Sequence, residues 1–237
     1  MNGISITAVI PTHNRRSTNL ANLLRSLVEQ DGFKVDIIII DTSDDIIYQT
    51  ANRAISTAYC AHYMRLPRRD FWKARSLNIG IAASDGRYTM CVDADMYIHS
   101  EFLSTVAGHF HDREVQPFIM AVCGYLPDNF AVGDWDEMRA KASEGEVSRR
   151  LSPGGIQLAR TSWFKKVGGY DEKFTAIDGV DTDMMVRARK YRLEEVWVED
   201  PVMVMHQWHP KSNLKGIDSH KFSADPEVYI NKDWLAW

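Results

Sequence analysis

Two short runs of β-branched residues, "ISITAVI" (4–10) and "VDIIIID" (35–41), bracket the segment "STNLANLLRSLVEQ" (17–30), which sets Leu20, Leu23, Leu24 and Leu27 on one helical face. That order is a βαβ unit. The alternation continues with a helix over 44–58, a strand "AHYMRL" (61–66), a helix "FWKARSLNIGIAA" (71–83) and a strand "RYTMCVD" (87–93). Such a chain folds as an α/β protein with a mostly parallel central sheet flanked by helices. A helix at 100–111 and a strand "QPFIMAVCGYL" (116–126) follow. Next come a polar stretch over 127–152 with a helical centre, a helix at 180–191 and a strand "PVMVMH" (201–206).

With 237 residues, 45% of them hydrophobic, the chain can build one substantial core, and we read a single domain with two functional halves, 1–98 and 99–237. Its 28 basic and 32 acidic residues give a net charge of −4, which provides no global footprint for nucleic acid or anionic membrane. Cys60, Cys91 and Cys123 sit apart in apolar segments and read as buried thiols of a reducing compartment. No run approaches the roughly 18 apolar residues of a spanning helix. The expected location is cytoplasmic, without a membrane anchor.

In open α/β sheets ligands lie beyond the carboxyl ends of the strands. Three strand ends carry polar clusters: "PTHNRR" after the first, "DTSDD" after the second and "DAD" after the fourth. They point to one crevice. Asp93 and Asp95, separated only by Ala94, repel each other and lose hydration at a buried strand end, so a positive group is expected between them. A carboxylate pair holds a diphosphate only through a hard divalent cation, Mn²⁺ or Mg²⁺. Lys73 and Arg75 open a helix, where cations oppose the dipole unless an anion is near.

Taken in order over residues 4–209, these motifs resemble a known group. "ISITAVIPTHNR", "VDIIIIDTSDD" and "ARSLNIGIAASDGRYTMCVDADMYI" resemble the nucleotide-sugar-binding half of family 2 glycosyltransferases with the GT-A fold. "VGGYDEKFTAIDGVDTDMMVRARK" and "MVMHQWH" resemble the acceptor half shared by β-1,4-galactosyltransferases and polypeptide N-acetylgalactosaminyltransferases. The resemblance implies transfer of a sugar from a nucleotide-diphosphate donor, most simply UDP-linked, to an acceptor hydroxyl. It implies that Asp95 touches the metal and that Asp93 reaches the ribose or a metal-bound water. His206 is implied as the second ligand, with His209 as its neighbour and rival and Met203, three residues earlier, as a soft third.

Asp41 is implied near the base, with Pro11, Thr12 and Arg15 lining the same pocket and Asn14 shaping the turn. Lys73 and Arg75 would face phosphate or sugar, while Asn78 reads as structural. Asp181 aligns with the catalytic base and Asp183 with a supporting acid; Val180 replaces a glutamate that in the relatives contacts sugar hydroxyls. An inverting transferase needs such a carboxylate opposite the leaving diphosphate, to take the acceptor's proton as its oxygen attacks. The bland alternative is that Asp178 or Asp181 caps a helix and Asp183 satisfies its dipole. Gly155, in "PGG", and the pair in "GGY" (168–170) permit close backbone approach to a sugar or make ordinary turns. Among seven tryptophans, Trp135, Trp163 and above all Trp208 offer flat surfaces for sugar stacking.

A retaining transferase on the same scaffold is the nearest rival, and a non-catalytic carbohydrate- or partner-binding module the rival from another class. A nucleotidyltransferase is disfavoured because "PTHNRRS" has no glycine-rich phosphate loop. Glycan, lipid-linked sugar, protein and modified nucleobase all remain open as acceptors.

Overall fold

A computed structural model describes residues 4–67, 71–110, 115–143, 150–151, 155–174, 179–199 and 203–210. The first half follows the expected alternation: β1 (Ile6–Thr12), α1 (Ser17–Val28), β2 (Val35–Asp41), α2 (Ile46–Ala58), β3 (His62–Arg65), α3 (Lys73–Ala83) and β4 (Tyr88–Val92). After it come β5 (Met96–Ile98), α4 (Phe102–Val106) with a short 3₁₀ turn, β6 (Pro117–Tyr125) and α5 (Trp135–Ser143). The chain continues through β7 (Arg150–Leu151), β8 (Ile156–Arg160), α6 (Thr161–Lys166), α7 (Val180–Lys190), β9 (Glu194–Val198) and β10 (Val204–His206). Asp178, Pro153, Gly154, Trp234 and Trp237 lie outside the described residues.

The sheet runs in the order β3-β2-β1-β4-β8-β6-β10-β5, with β7 and β9 also paired to β6. Its first four strands are parallel, Thr12 lying beside Asp41 and Ile6 beside both Val35 and Tyr88. Beyond β4 the sheet becomes mixed: β8 is antiparallel to β4 and β6, and β5 is antiparallel to β10. The sequence reading did not include β5, β7, β8 and β9.

Leu20, Leu23, Leu24 and Leu27 of α1 are fully buried with Ile6, Ala8, Ile10, Ile37 and Ile39, as the four-residue spacing requires. On the opposite face Val9 meets Ala74, Leu77 and Ile81 of α3. Burying each of these side chains contributes roughly 1.5–3 kcal/mol. Helices thus clamp the parallel strands from both sides and hold their carboxyl ends rigid. Cys91 and Cys123 are buried as expected, whereas Cys60 is exposed, because it follows the end of α2 in a left-handed turn at φ 53.

Candidate active site

The loops after β1 and β2 are tied to each other before any ligand arrives. Thr42 donates its N–H to the Thr12 carbonyl at 2.9 Å, and Asn14, left-handed at φ 45, donates to Ser43 Oγ at 2.9 Å and Asp44 Oδ1 at 2.6 Å. Asn14 therefore shapes the turn. Asp41, by contrast, is 0% exposed and accepts from Ser43 N, Asn52 Nδ2 and Tyr63 Oη at 2.8, 3.1 and 2.8 Å. Burial and this bond to a carboxylate push the Tyr63 phenol up. Asp41, expected near a base, thus has both oxygens engaged in bracing the β2 end. Thr12 is buried as well, its Oγ1 without a partner, and Pro11 continues the buried strand. Arg15 alone of this group sends charge toward the neighbouring carboxylates.

The junction Asp93-Ala94-Asp95 is where the chain leaves β4 in one part of the sheet and enters β5 at the other edge. Its two carboxylates meet different cations. Lys73 Nζ lies 2.7 Å from Asp93 Oδ1 and 2.7 Å from Asp181 Oδ2, with only 3% of its side chain exposed. Burial would strip the proton from Lys73, but Asp181 and Asp93 reverse that and raise its pKa. Burial also pushes the Asp93 carboxyl up, Lys73 opposing while Asp181 and Asp95 add to the rise. Arg15 Nη2 stands 3.3 Å from Asp95 Oδ2, His209 Nε2 3.2 Å from the same oxygen and His206 Nε2 3.7 Å from Oδ1.

Asp95 is 4% exposed at its side chain, and its buried Oδ1 has no hydrogen-bond partner. Burial alone would neutralise it, yet His206, the His209 hydrogen bond and Arg15 hold it well below the usual carboxylate range. Burial lowers the pKa of His206, despite the pull of Asp95, so its ring is neutral at neutral pH. Asp95, His206 and His209 each offer one ligand atom, all within 4.8 Å of one another.

Strand pairing explains the meeting. In the β5–β10 ladder His206 faces Met96, one residue past Asp95, and Gln207 N donates to the Asp95 carbonyl at 2.7 Å. Gln207 is buried; its Nε2 donates to Met96 O at 2.9 Å and Asn19 O at 3.1 Å, and its Oε1 accepts from Asn22 at 2.8 Å. This glutamine between two histidines is a positioning residue that sequence reasoning missed; only its place in "HQWH" hinted at it. The His206 ring rests on Tyr125, centroids 4.9 Å apart. Met203 is packed in the main core and so is not set among the polar donors.

Asp181 opens α7 behind Gly179, which is left-handed at φ 84 and contributes no side-chain cap. Its carbonyl accepts from Gln157 Nε2 at 2.8 Å, and Tyr170 Oη donates to Gln157 Oε1 at 2.7 Å. Asp183 departs from expectation: it is buried and paired with Arg187 at 2.7 Å, and Arg187 also donates to Gly169 O at 2.7 Å. It anchors α7 to the glycine turn rather than lining the crevice. Arg75 pairs with Glu172 at 2.7 Å, and Asn78 donates to Tyr170 O at 2.9 Å and accepts from Tyr170 N at 2.7 Å, a structural role as expected.

Gly155 is required by the core, since a Cβ there would come 2.5 Å from Cys123 Sγ; its carbonyl accepts from Asp93 N at 3.3 Å. The close approach the structure shows is to a thiol. Trp163 packs edge-on to Phe118 and Trp135 stacks on Tyr97, while Trp208 lies under the Arg16 guanidinium at 4.7 Å.

One carboxylate with an orphaned oxygen and two imidazoles form a donor set that suits a borderline divalent ion such as Mn²⁺ better than Mg²⁺, which prefers oxygen alone. Asp93, expected to share that ion, is engaged by Lys73 instead. The chain belongs to glycosyl transferase family 2, whose model matches residues 7–167. The fold is similar to that of S. aureus TarS, at TM-score 0.63 and 18% identity over 87% of this chain and 37% of that one. It is also similar to TarS 1–349 in complex with UDP, at TM-score 0.62 and 17% identity over 87% of this chain and 61% of that one. The mannosyltransferase PcManGT from Pyrobaculum calidifontis, in complex with GDP-Man and Mn²⁺, gives TM-score 0.61 and 16% identity over 89% of this chain and 58% of that one. The chain thus spans less than two thirds of each of these chains' lengths. No curated protein matches it with significant similarity. Among the described residues no helix is long and apolar enough to cross a membrane.

Proposed function

We propose that this chain is a metal-dependent glycosyltransferase that moves a hexosyl or N-acetylhexosaminyl group from a nucleotide-diphosphate sugar to an acceptor hydroxyl with inversion. The observation that carries the reading is the buried, orphaned Asp95 oxygen facing His206 and His209, with the Lys73-bridged pair Asp93 and Asp181 beside it. TarS 1–349 in complex with UDP and with UDP-GlcNAc supports a UDP-linked donor, and PcManGT with GDP-Man and Mn²⁺ supports the metal. Residues 1–98 supply most of the donor site; residues 99–237 supply the acceptor side within the same domain. The expected location is the cytoplasm.

Asp95, His206 and His209 hold a divalent ion, which when bound supplies Lewis-acid neutralisation of the leaving diphosphate. Arg15, beside Asp95, adds a guanidinium suited to phosphate oxygens. Asp181 accepts the proton of the acceptor hydroxyl as that oxygen attacks the anomeric carbon and the bond to the diphosphate breaks. Lys73, shared between Asp93 and Asp181, fixes the base in place. The same reading gives the polar stretch 127–152 the part of a cover that would exclude water from the sugar.

A panel of UDP-, GDP- and dTDP-sugars, each with and without Mn²⁺, tests this, with NMR of the product's anomeric centre. Transfer from none of them, or retention of configuration, refutes the corresponding part.

A further inference from the structure

A second cavity, of about 520 Å³, lies against Gln116, Ser162, Trp163, Lys166, Tyr191 and Arg192. It adjoins the start of β6, whereas the Asp95–His206 cluster sits at the end of that nine-residue strand, roughly 25 Å away. The two sites occupy opposite ends of the sheet. Both charged residues on the cavity wall, Lys166 and Arg192, are cations, and among the described residues neither is in an ion pair. Trp163 is 6% exposed, yet its indole N–H has no hydrogen-bond partner, which is unusual for a buried donor.

Arg192 adds an independent sign. It follows the end of α7 at φ 58, where Leu193 N donates to Ala188 O and Arg192 N donates to Arg189 O. That closing turn is normally made by glycine, because an L side chain is strained there. A strained position is thus occupied by a large cation at the lip of a cavity.

We propose that this cavity binds an oxyanion, phosphate or carboxylate, carried on a small ring such as a sugar, independently of the donor crevice. Lys166 and the planar fork of Arg192 bind the anion, and Ser162 adds a hydroxyl. Tyr191 offers a flat apolar wall to the ring, Trp163 lines the cavity as a buried residue whose N–H donor is unpartnered, and the volume suits a small molecule.

Calorimetric titration of the whole chain, free of nucleotide and metal, with inorganic phosphate, glucose 6-phosphate and glucuronate tests the site. The expected result is binding of glucose 6-phosphate or glucuronate more tightly than inorganic phosphate, the preferred one identifying the anion. Lys166→Gln and Arg192→Gly should each weaken it about tenfold. Arg192→Gly relieves the backbone strain, so its Tm should hold or rise, separating lost binding from lost folding. Donor binding, which uses none of these residues, should stay unchanged in both variants. Absence of binding, preference for inorganic phosphate, or equal affinity in wild type and both variants overturns the proposal.

Discussion

Replacing Lys73 by methionine keeps most of the side chain's volume and deletes the charge between Asp93 and Asp181. The ammonium lies 2.7 Å from each carboxylate, and at an effective dielectric of about 20 each such contact is worth roughly 6 kcal/mol before desolvation is subtracted. Desolvation of a buried lysine offsets several kcal/mol of that, so removing one partner of such a network costs about 3–5 kcal/mol net. The variant also leaves two carboxylates about 5 Å apart, repelling by about 3 kcal/mol at the same dielectric if both stay ionised. They need not, because Asp93 is already pushed up by burial and takes a proton more readily once Lys73 is gone.

The variant should therefore lose about 3–5 kcal/mol at pH 7 and recover much of it toward pH 5. The sign follows from proton counting: Asp93 would bind more protons in the native than in the unfolded chain, so stability falls as pH rises. In the wild type, Lys73 has the opposite history. Its pKa is raised on folding, so its contribution is complete below the unfolded value of about 10.4 and is lost only as pH climbs through the folded one. Urea unfolding of the variant and the wild type at pH 5 and pH 7 measures the loss and its recovery. A loss under about 1 kcal/mol at pH 7, or no recovery on acidification, would show that the network is not coupled as drawn.

Asp181→Asn should leave donor affinity within about twofold while lowering kcat by roughly 10²–10⁴, the usual share of a general base; undiminished turnover removes Asp181 from that role. Gln207→Leu should weaken Mn²⁺ binding about 10–100-fold by freeing His206 and His209 from the Asp95 junction, without unfolding the chain, as followed by metal titration and circular dichroism. Because burial lowers the pKa of His206, that ring should stay unprotonated and open to Mn²⁺ as pH falls through about 6.5, the ordinary imidazole value, and protons should compete for it only below that. Over that same lower range the unfolded chain binds the extra proton first, so apo stability should rise with pH and level off above about 6.5.

The crossover units were legible because their signal is local. Leu20, Leu23, Leu24 and Leu27 recur at helical spacing, and "VDIIIID" is apolar at nearly every position, so burial on a helical face and between layers followed directly. Asp95 was readable as a candidate, since a carboxylate at a strand end needs a reason to be there, whereas His206 and Asp181 were singled out only through the family resemblance. What the carboxylates touch was not readable. Asp41 looked like a free acceptor until Asn52 and Tyr63 were found on it, and Asp183 looked like a site acid until Arg187 was.

Composition and period decided that this chain forms a helix-clamped α/β sheet with polar strand ends, because both depend on contacts within a few residues or on simple burial. Long-range pairing decided the rest. Lys73 reaches Asp181 across 108 residues of sequence, and β5 must pair with β10 before Asp95 and His206 can face each other. The doublet of charges at 93 and 95 is resolved only there, by Lys73 on one side and by Arg15 and two histidines on the other. A sequence shows that a buried charge requires a partner; which partner it finds depends on strand order, and strand order is a property of the whole fold.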